Sequence, residues 1–352
     1  MKNVALIIFL LFLIYGTASP QSCLPEGIIF ETQEEIDNFK NNYPGCTVIE
    51  GDVEINGYNI TNLNGLNVLT AIGGYLHIVN NDNLTSLTGL DDVTSIGGAF
   101  RIWHNDALTG LIGLDNLTSI GGDLGIIFNP ALTSLTKLDN VTSIGWRLWI
   151  GDNDALTSLT GLDNVTSIEG DLSIYGNDAL TSLTGLDNFT SIGGDLSIHD
   201  NYAVTSLSGL NNIDAASIDD LLITFNGFLS TCEVQSICDY LAAPDGSIII
   251  YDNATGCNSE EEVEAACAVP VESINPENEI SIFPNPANNQ LTISCKDGTT
   301  IEKVIIYNQI GQIVLLEKPD NNIIDISELQ PGMYIIEVVS GQRKVRGKLV
   351  IE

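Results

Sequence analysis

A segment of 24 residues recurs through five successive periods without an insertion. One copy, LTSLTGLDNVTSIEGDLSIYGNDA, runs from Leu156 to Ala179. Its first position recurs at Leu84, Leu108, Leu132, Leu156, Leu180 and Val204, and a looser copy starts at Ile60. A fixed period of this length specifies a solenoid, in which each coil buries its apolar row only against its neighbours. Leu156, Leu159, Leu162, Val165, Ile168, Leu172 and Ile174 recur in each copy as Leu, Ile, Val or Phe. Spacing of three, with Thr and Ser between the apolar residues, suits short strands joined by tight turns. Gly161 and Gly170 are read as the turn residues. Helix is disfavoured in the repeats by the many glycines and β-branched residues and by the lack of a long 3.6 period. Stacked copies place equivalent residues about 4.8 Å apart along the axis.

Charge separates the chain into parts. The formal net charge is −34, and between Val48 and Cys232 the only bases are Arg101, Lys137 and Arg147. Lys296, Lys303, Lys318, Arg343, Lys344, Arg346 and Lys348 follow in the last 57 residues. Nucleic acid and anionic membranes are therefore not expected partners of the repeats, because phosphate binding needs basic side chains. Residues 1–18 read as a signal peptide: Lys2, then the apolar run Val4–Tyr15, then Gly16-Thr17-Ala18 before the cleavage point. That run is short for a membrane span, and no transmembrane segment is expected elsewhere.

One polar column runs through the repeats: Asn81, Asn105, Asn129, Asn153, Asn177, Asn201 and, one residue late, Asn226. A buried Asn at every coil is expected to hydrogen-bond the backbone of the next coil, as a structural ladder. A second column, Asp91, Asp115, Asp139, Asp163 and Asp187, stacks like charges. Solvated turn carboxylates are the expected reading; calcium is the alternative, without the alternating Gly-Asp pattern of calcium β-rolls.

Cys46-Thr-Val-Ile-Glu-Gly-Asp-Val-Glu-Ile55 resembles the opening coil of receptor L domains, the ligand-binding modules of insulin- and EGF-receptor ectodomains. The coils up to residue 231 share that family's pattern of Ile, Leu-x-Ile and Asn, which leucine-rich repeats share in part. The resemblance implies a right-handed parallel β-helix and a disulfide from Cys46 to Cys23. Cys232 then falls in the core row, and Cys238, Cys257 and Cys267 follow, with helix-like segments at Glu233–Leu241 and Ser259–Ala266. Ser259 with Glu262 reads as a capping box. These cysteines are read as a stapled end cap; of their three possible pairings, Cys232–Cys257 with Cys238–Cys267 is favoured, with a zinc site as the rival.

After a Pro- and Asn-rich linker the texture changes to alternating strands. They are expected at Ile280–Phe283, Gln290–Ser294, Lys303–Tyr307, Gln312–Glu317, Ile323–Ile326, Gly332–Val339 and Gly347–Ile351, forming a small antiparallel sandwich. Phe283-Pro284-Asn285-Pro286, the stretch Val304–Val314 with Gly311, the stretch Ile326–Tyr334 with Gly332 and Tyr334, and the closing Lys344 and Lys348 resemble the type A C-terminal sorting domain of the type IX secretion system of Bacteroidetes. The resemblance implies passage through the outer membrane by that machinery, removal of the domain by its sortase, and often attachment to the cell surface. Cys295, the seventh cysteine, is expected to be a buried thiol.

The expected organisation is a signal peptide (1–18), an N-terminal cap (19–59), the solenoid (60–231), a cysteine-rich cap (232–267), a linker (268–278) and the sorting domain (279–352). The fold class is mainly β, a parallel β-helix with stapled caps followed by a small antiparallel β-sandwich. No HExxH, nucleophile elbow or phosphate loop occurs, so neither catalysis nor a cofactor is expected. What breaks the repetition lies on the outward positions of the Leu-x-Ile strands: Tyr75, His77, Arg101, Trp103, Arg147, Trp149, Tyr175 and His199. Aromatic and Arg side chains of this kind anchor ligands. The expected function is a secreted or surface-attached binding or adhesion protein; the alternatives are a polysaccharide binder and a structural spacer or coat.

Overall fold

The computed structural model describes residues 21–268, and then 280–283, 287, 289–295, 301–308, 313–319, 322–327, 329–340 and 343–351. The expected signal peptide and the linker from residue 269 lie outside the described residues. Close contacts divide the chain into two compact units between Ala268 and Val269.

In the first unit the chain winds as a β-solenoid. One side is a ten-stranded parallel sheet running from Ile28–Phe30 to Ile248–Tyr251. Its central strands are Leu76–Val79, Phe100–Trp103, Leu124–Ile127, Leu148–Gly151, Leu172–Tyr175 and Gly194–His199, each beside the strand one coil away. Register is strict: Leu124 faces both Phe100 and Leu148. A second sheet carries six two-residue strands, from Ser22–Cys23 to Ser143–Ile144.

The three-residue spacing is explained by the corners between strands. Leu156, Leu159, Leu162, Val165, Leu172 and Ile174 all point inward with 0% exposure, each contributing about 1.5–3 kcal/mol by burial. Gly161 and its equivalents Gly89, Gly113 and Gly185 take φ between 111° and 118°, a region closed to most side chains. Gly170 is not one of these left-handed turns. A Cβ there would lie 2.9 Å from Arg147 Cγ, so close stacking, not turn geometry, requires the glycine. One extra residue enters the sheet where Gly194 faces Ile218 but Leu196 faces Leu221. This bulge is why the asparagine column reaches Asn226 a residue late.

Both ends of the solenoid are closed. At the N-terminal end α1 (Gln33–Asp37) and α2 (Phe39–Asn42) bury Ile36 and Phe39. Thr32 and Glu35 form a reciprocal capping box for α1. The helix expected at Glu233–Leu241 is α3 (Gln235–Ala242), and it buries Ile237, Tyr240 and Leu241. The acidic helix is α4 (Glu260–Ala268). Ser259 Oγ accepts the Glu262 N–H, but the Glu262 carboxylate reaches the N–H groups of Gly256 and Asn258 instead of that of Ser259, so the box is open on one side. Disulfides join Cys23 to Cys46, Cys232 to Cys257 and Cys238 to Cys267.

In the second unit two antiparallel sheets share an apolar core that includes Leu291, Ile293, Val304, Ile306, Ile336 and Leu349. The three-stranded sheet orders Ile280–Phe283, Gln290–Cys295 and Ile323–Asp325. The four-stranded sheet orders Ile313–Glu317, Lys303–Tyr307, Gly332–Ser340 and Arg343–Ile351. The last strand begins four residues earlier than the alternation suggested, because Arg343 already pairs with Ser340.

Candidate ligand-binding face

Two asparagine ladders tie successive coils together. Asn81, Asn105, Asn129, Asn153, Asn177, Asn201 and Asn226 are all 0% exposed. In each coil the amide Nδ2 donates to a backbone carbonyl of the preceding coil, as Asn129 does to Ile102 at 2.8 Å. Each Oδ1 accepts the backbone N–H of the preceding Asn, as Asn129 Oδ1 does from Asn105 at 3.2 Å. Asn253 ends the column by accepting from Asn226 at 3.0 Å, and Gly57 starts it by donating to Asn81 at 3.0 Å. The sequence hid both, since their coils differ in length or lack the Asn. A second, exposed ladder was also missed: Asn116, Asn140, Asn164, Asn188 and Asn212 each donate to an Asp carbonyl of the coil before, at 2.6–2.7 Å. The Asp column caps local turns: Asp91, Asp139, Asp163 and Asp187 accept the N–H two residues earlier. Among the described residues no group of three or more His, Cys, Asp or Glu is arranged to hold a metal ion.

Six of the eight outward candidates lie in strands of the ten-stranded sheet, Tyr75 and Arg147 immediately precede the strands Leu76–Val79 and Leu148–Gly151, and all eight are half-buried. Tyr75 stacks on His77 with ring centroids 4.0 Å apart, and Tyr175 on His199 at 5.0 Å. Arg101 lies over Trp103 and Arg147 over Trp149, at 5.0 and 5.4 Å from the ring centres. Both guanidinium groups are also paired with carboxylates of the next coil, Arg101 with Asp123 at 3.3 Å and Arg147 with Asp171 at 2.8 Å. His199 Nδ1 meets Asp200 at 2.8 Å.

Burial, reinforced by Arg101, lowers the His77 pKa. Burial, with Asp152 nearby, raises that of Tyr175. Tyr75 is likewise raised, first by burial and then by Asp52 and Glu54. Burial raises Asp152 as well.

Three of the eight frame an open cleft of about 390 Å³, lined by Trp103, His104, Ile127, Phe128, Trp149, Ser173 and Tyr175. Its shape comes from two glycines in the strands. The Trp103 indole reaches one coil forward over Gly125, where an added Cβ would sit 3.0 Å from Nε1. The Tyr175 ring reaches one coil back over Gly151, where an added Cβ would lie 2.3 Å from the ring. The two rings thus lean toward each other across the coils that carry Ile127 and Trp149. Trp103 Nε1 is buried without a hydrogen-bond partner.

His104 and Phe128, which sequence reasoning did not single out, stack at 4.5 Å beside the cleft. Both occupy a left-handed position, φ 53° and 57°, that Phe225 also takes and that Asn80, Asp152, Gly176, Asp200 and Asp252 hold in other coils. Small or polar residues belong there, and bulky ones are strained. That substitution was the available signal. Tyr75, His77, Arg101, Arg147 and His199 share the face but do not line the cleft.

In the second unit Tyr334 donates to the Gln330 carbonyl at 2.7 Å. Gly332 pairs with Ile351, and the strand carrying Lys344 and Lys348 sets them opposite Val339 and Ile335. Pro284, Asn285, Pro286 and Gly311 lie outside the described residues, as does the side chain of Cys295.

Comparison with known proteins gives matches to different parts of the chain. A stretch of the chain is 36% identical over 76 residues to Ulvan lyase NLR42 of Nonlabens ulvanivorans, covering 20% of this chain. The chain spans only 14% of the length of that relative. Residues 45–142 match the Receptor L domain family, within the solenoid. Residues 281–352 match the secretion system C-terminal sorting domain. The chain therefore combines a solenoid of receptor L domain character with a type IX secretion system sorting domain.

Proposed function

We propose that the chain is an exported, surface-displayed protein without catalytic activity, and that the ten-stranded face of its solenoid binds a ligand. The sorting domain supports secretion and cell-surface attachment of the kind known in Bacteroidetes. The receptor L domain match supports a binding role in general terms. The observation that carries the proposal is the cleft framed by Trp103 and Tyr175 in an otherwise repetitive acidic solenoid. Half-buried aromatic side chains around an open apolar floor are the usual anchors of recognition.

A spacer without a ligand is the weaker reading. It gives no account of the aromatic cleft between Trp103 and Tyr175. A polysaccharide ligand is the second reading, favoured by the rings that line the cleft. Ulvan lyase NLR42 acts, by its name, on ulvan, but so small a share of it is matched that lyase activity forms no part of the proposal.

A glycan array combined with capture of cell-surface partners tests the reading. The full chain is expected to retain a ligand that Trp103→Ala releases. Recovery of no ligand by either route favours the spacer.

A further inference from the structure

We infer that the cleft takes an uncharged sugar chain, laid along the solenoid axis across the strands from Trp103 to Tyr175. The inference rests on the proposal that this face binds a ligand, and it names the ligand's chemistry.

Charge decides the first step. Every base between Val48 and Cys232 is already paired with an aspartate of a neighbouring coil: Arg101 with Asp123, Lys137 with Asp115 and Arg147 with Asp171. No unpaired cation remains among these three to meet a sulfate, phosphate or carboxylate, and the surrounding solenoid is strongly acidic. A cationic ligand fares no better inside the cleft. Its lining contains no carboxylate, and Arg101 and Arg147 already place a guanidinium over one face of Trp103 and one face of Trp149. An ion entering would lose hydration without a counter-charge.

Among uncharged ligands, the polar atoms discriminate. Ser173 and His104 supply hydrogen-bonding groups at the lining, whereas Trp103 Nε1 is turned over Gly125 and closed to solvent. A purely aliphatic chain covers Ser173 and His104 without a hydrogen bond to either, which is costly. A peptide adding as a strand finds no sheet edge here, because each strand from Leu76–Val79 to Ile218–Thr224 has neighbours on both sides. A pyranose ring answers both demands, with an apolar C–H face for an aromatic ring and hydroxyls at its rim.

Spacing favours a chain over a single sugar. The strands that carry Trp103, Trp149 and Tyr175 span three coil steps, about 14 Å along the axis, and the Trp103 and Tyr175 rings lean into that span over Gly125 and Gly151. The cleft between them is open to solvent along its length, with Ile127 as its floor.

Affinity electrophoresis of the full chain in gels containing polysaccharides tests this. The panel holds a glucan, a mannan and a xylan as uncharged polymers, and a sulfated and a uronate-rich polymer as anionic ones. Retardation by at least one uncharged polymer is expected, insensitive to salt between about 0.05 and 0.5 M. Trp149→Ala and Tyr175→Ala are each expected to weaken it at least about tenfold. Trp103→Phe keeps a smaller ring at the same place and should weaken it less than either alanine variant. Thermal melting of each variant verifies its fold.

Retardation by anionic polymers alone, or undiminished retardation of Trp149→Ala, overturns the proposal. If no polymer binds while Trp149-dependent capture of a surface protein persists, the sugar assignment fails and the ligand-face reading stands. If neither occurs, both fail.

Discussion

Asn153 Oδ1 accepts two hydrogen bonds from Asn129, one from its backbone N–H and one from its side-chain amide, both at 3.2 Å. Asn153 Nδ2 in turn donates to the Ile126 carbonyl at 2.9 Å. One side chain therefore ties its coil to the backbone of the one before, in a site closed to water. Asn153→Ala leaves these backbone groups buried and unpaired, and should cost about 3 kcal/mol. Asn164→Ala removes one exposed bond to the Asp139 carbonyl and should cost about 1 kcal/mol or less. Urea denaturation of the two variants checks the ranking; equal losses would show that the buried ladder is not what sets the stacking.

The position held by left-handed glycines in neighbouring coils is occupied by Lys137 at φ 96°. Its ammonium reaches Asp115 at 2.6 Å, but both side chains are more than a third exposed, so solvent screening leaves the pair little net contribution. Backbone strain of about 1–3 kcal/mol outweighs that and the entropy that a glycine adds to the unfolded chain. Lys137→Gly should therefore raise stability by about 0.5–1 kcal/mol. A fall in the denaturation midpoint would show that the ion pair governs the site.

Burial and Arg101 hold the His77 pKa below its ordinary value of 6.5. The unfolded chain then binds a proton before the folded one does. Stability from this site is complete above pH 6.5 and is lost as pH falls from there through the folded value. Asp152, raised by burial, acts in the opposite sense, so the comparison must be with a His77 variant and not across pH alone. Denaturation midpoints at about pH 7.5 and 5.5 should fall more for the natural protein than for His77→Gln. An identical fall in both would remove His77 from the account.

The solenoid was legible because its information is periodic. A strict 24-residue spacing exposes the inward row and the asparagine column at once, even though neither reads as a long strand. The column's end was illegible because Asn253 follows Asn226 after 27 residues, through a coil of different length. The cleft was half legible. Trp103, Trp149 and Tyr175 stand out as aromatic residues on outward positions, but their convergence depends on Gly125 and Gly151, which give the rings somewhere to lean. Phe128 escaped notice because its position becomes unusual only once the backbone there is known to be left-handed.

The sorting-domain match at residues 281–352 makes export separable from folding. Removal of residues 279–352 should leave the protein in the periplasm, with the solenoid's three disulfides formed. Cell fractionation with non-reducing peptide mapping measures both. Efficient surface display of the shortened chain would contradict the assignment of export to this domain.

The most direct test of the account compares ligand capture by two aromatic variants of the displayed protein. Trp149 lines the cleft; Phe228 is 68% exposed and lies outside the lining. Capture of surface ligands and glycans by the natural protein, Trp149→Ala and Phe228→Ala is measured side by side. The account predicts at least about a tenfold loss for Trp149→Ala and no loss for Phe228→Ala. Equal capture by both variants, at the level of the natural protein, would contradict it.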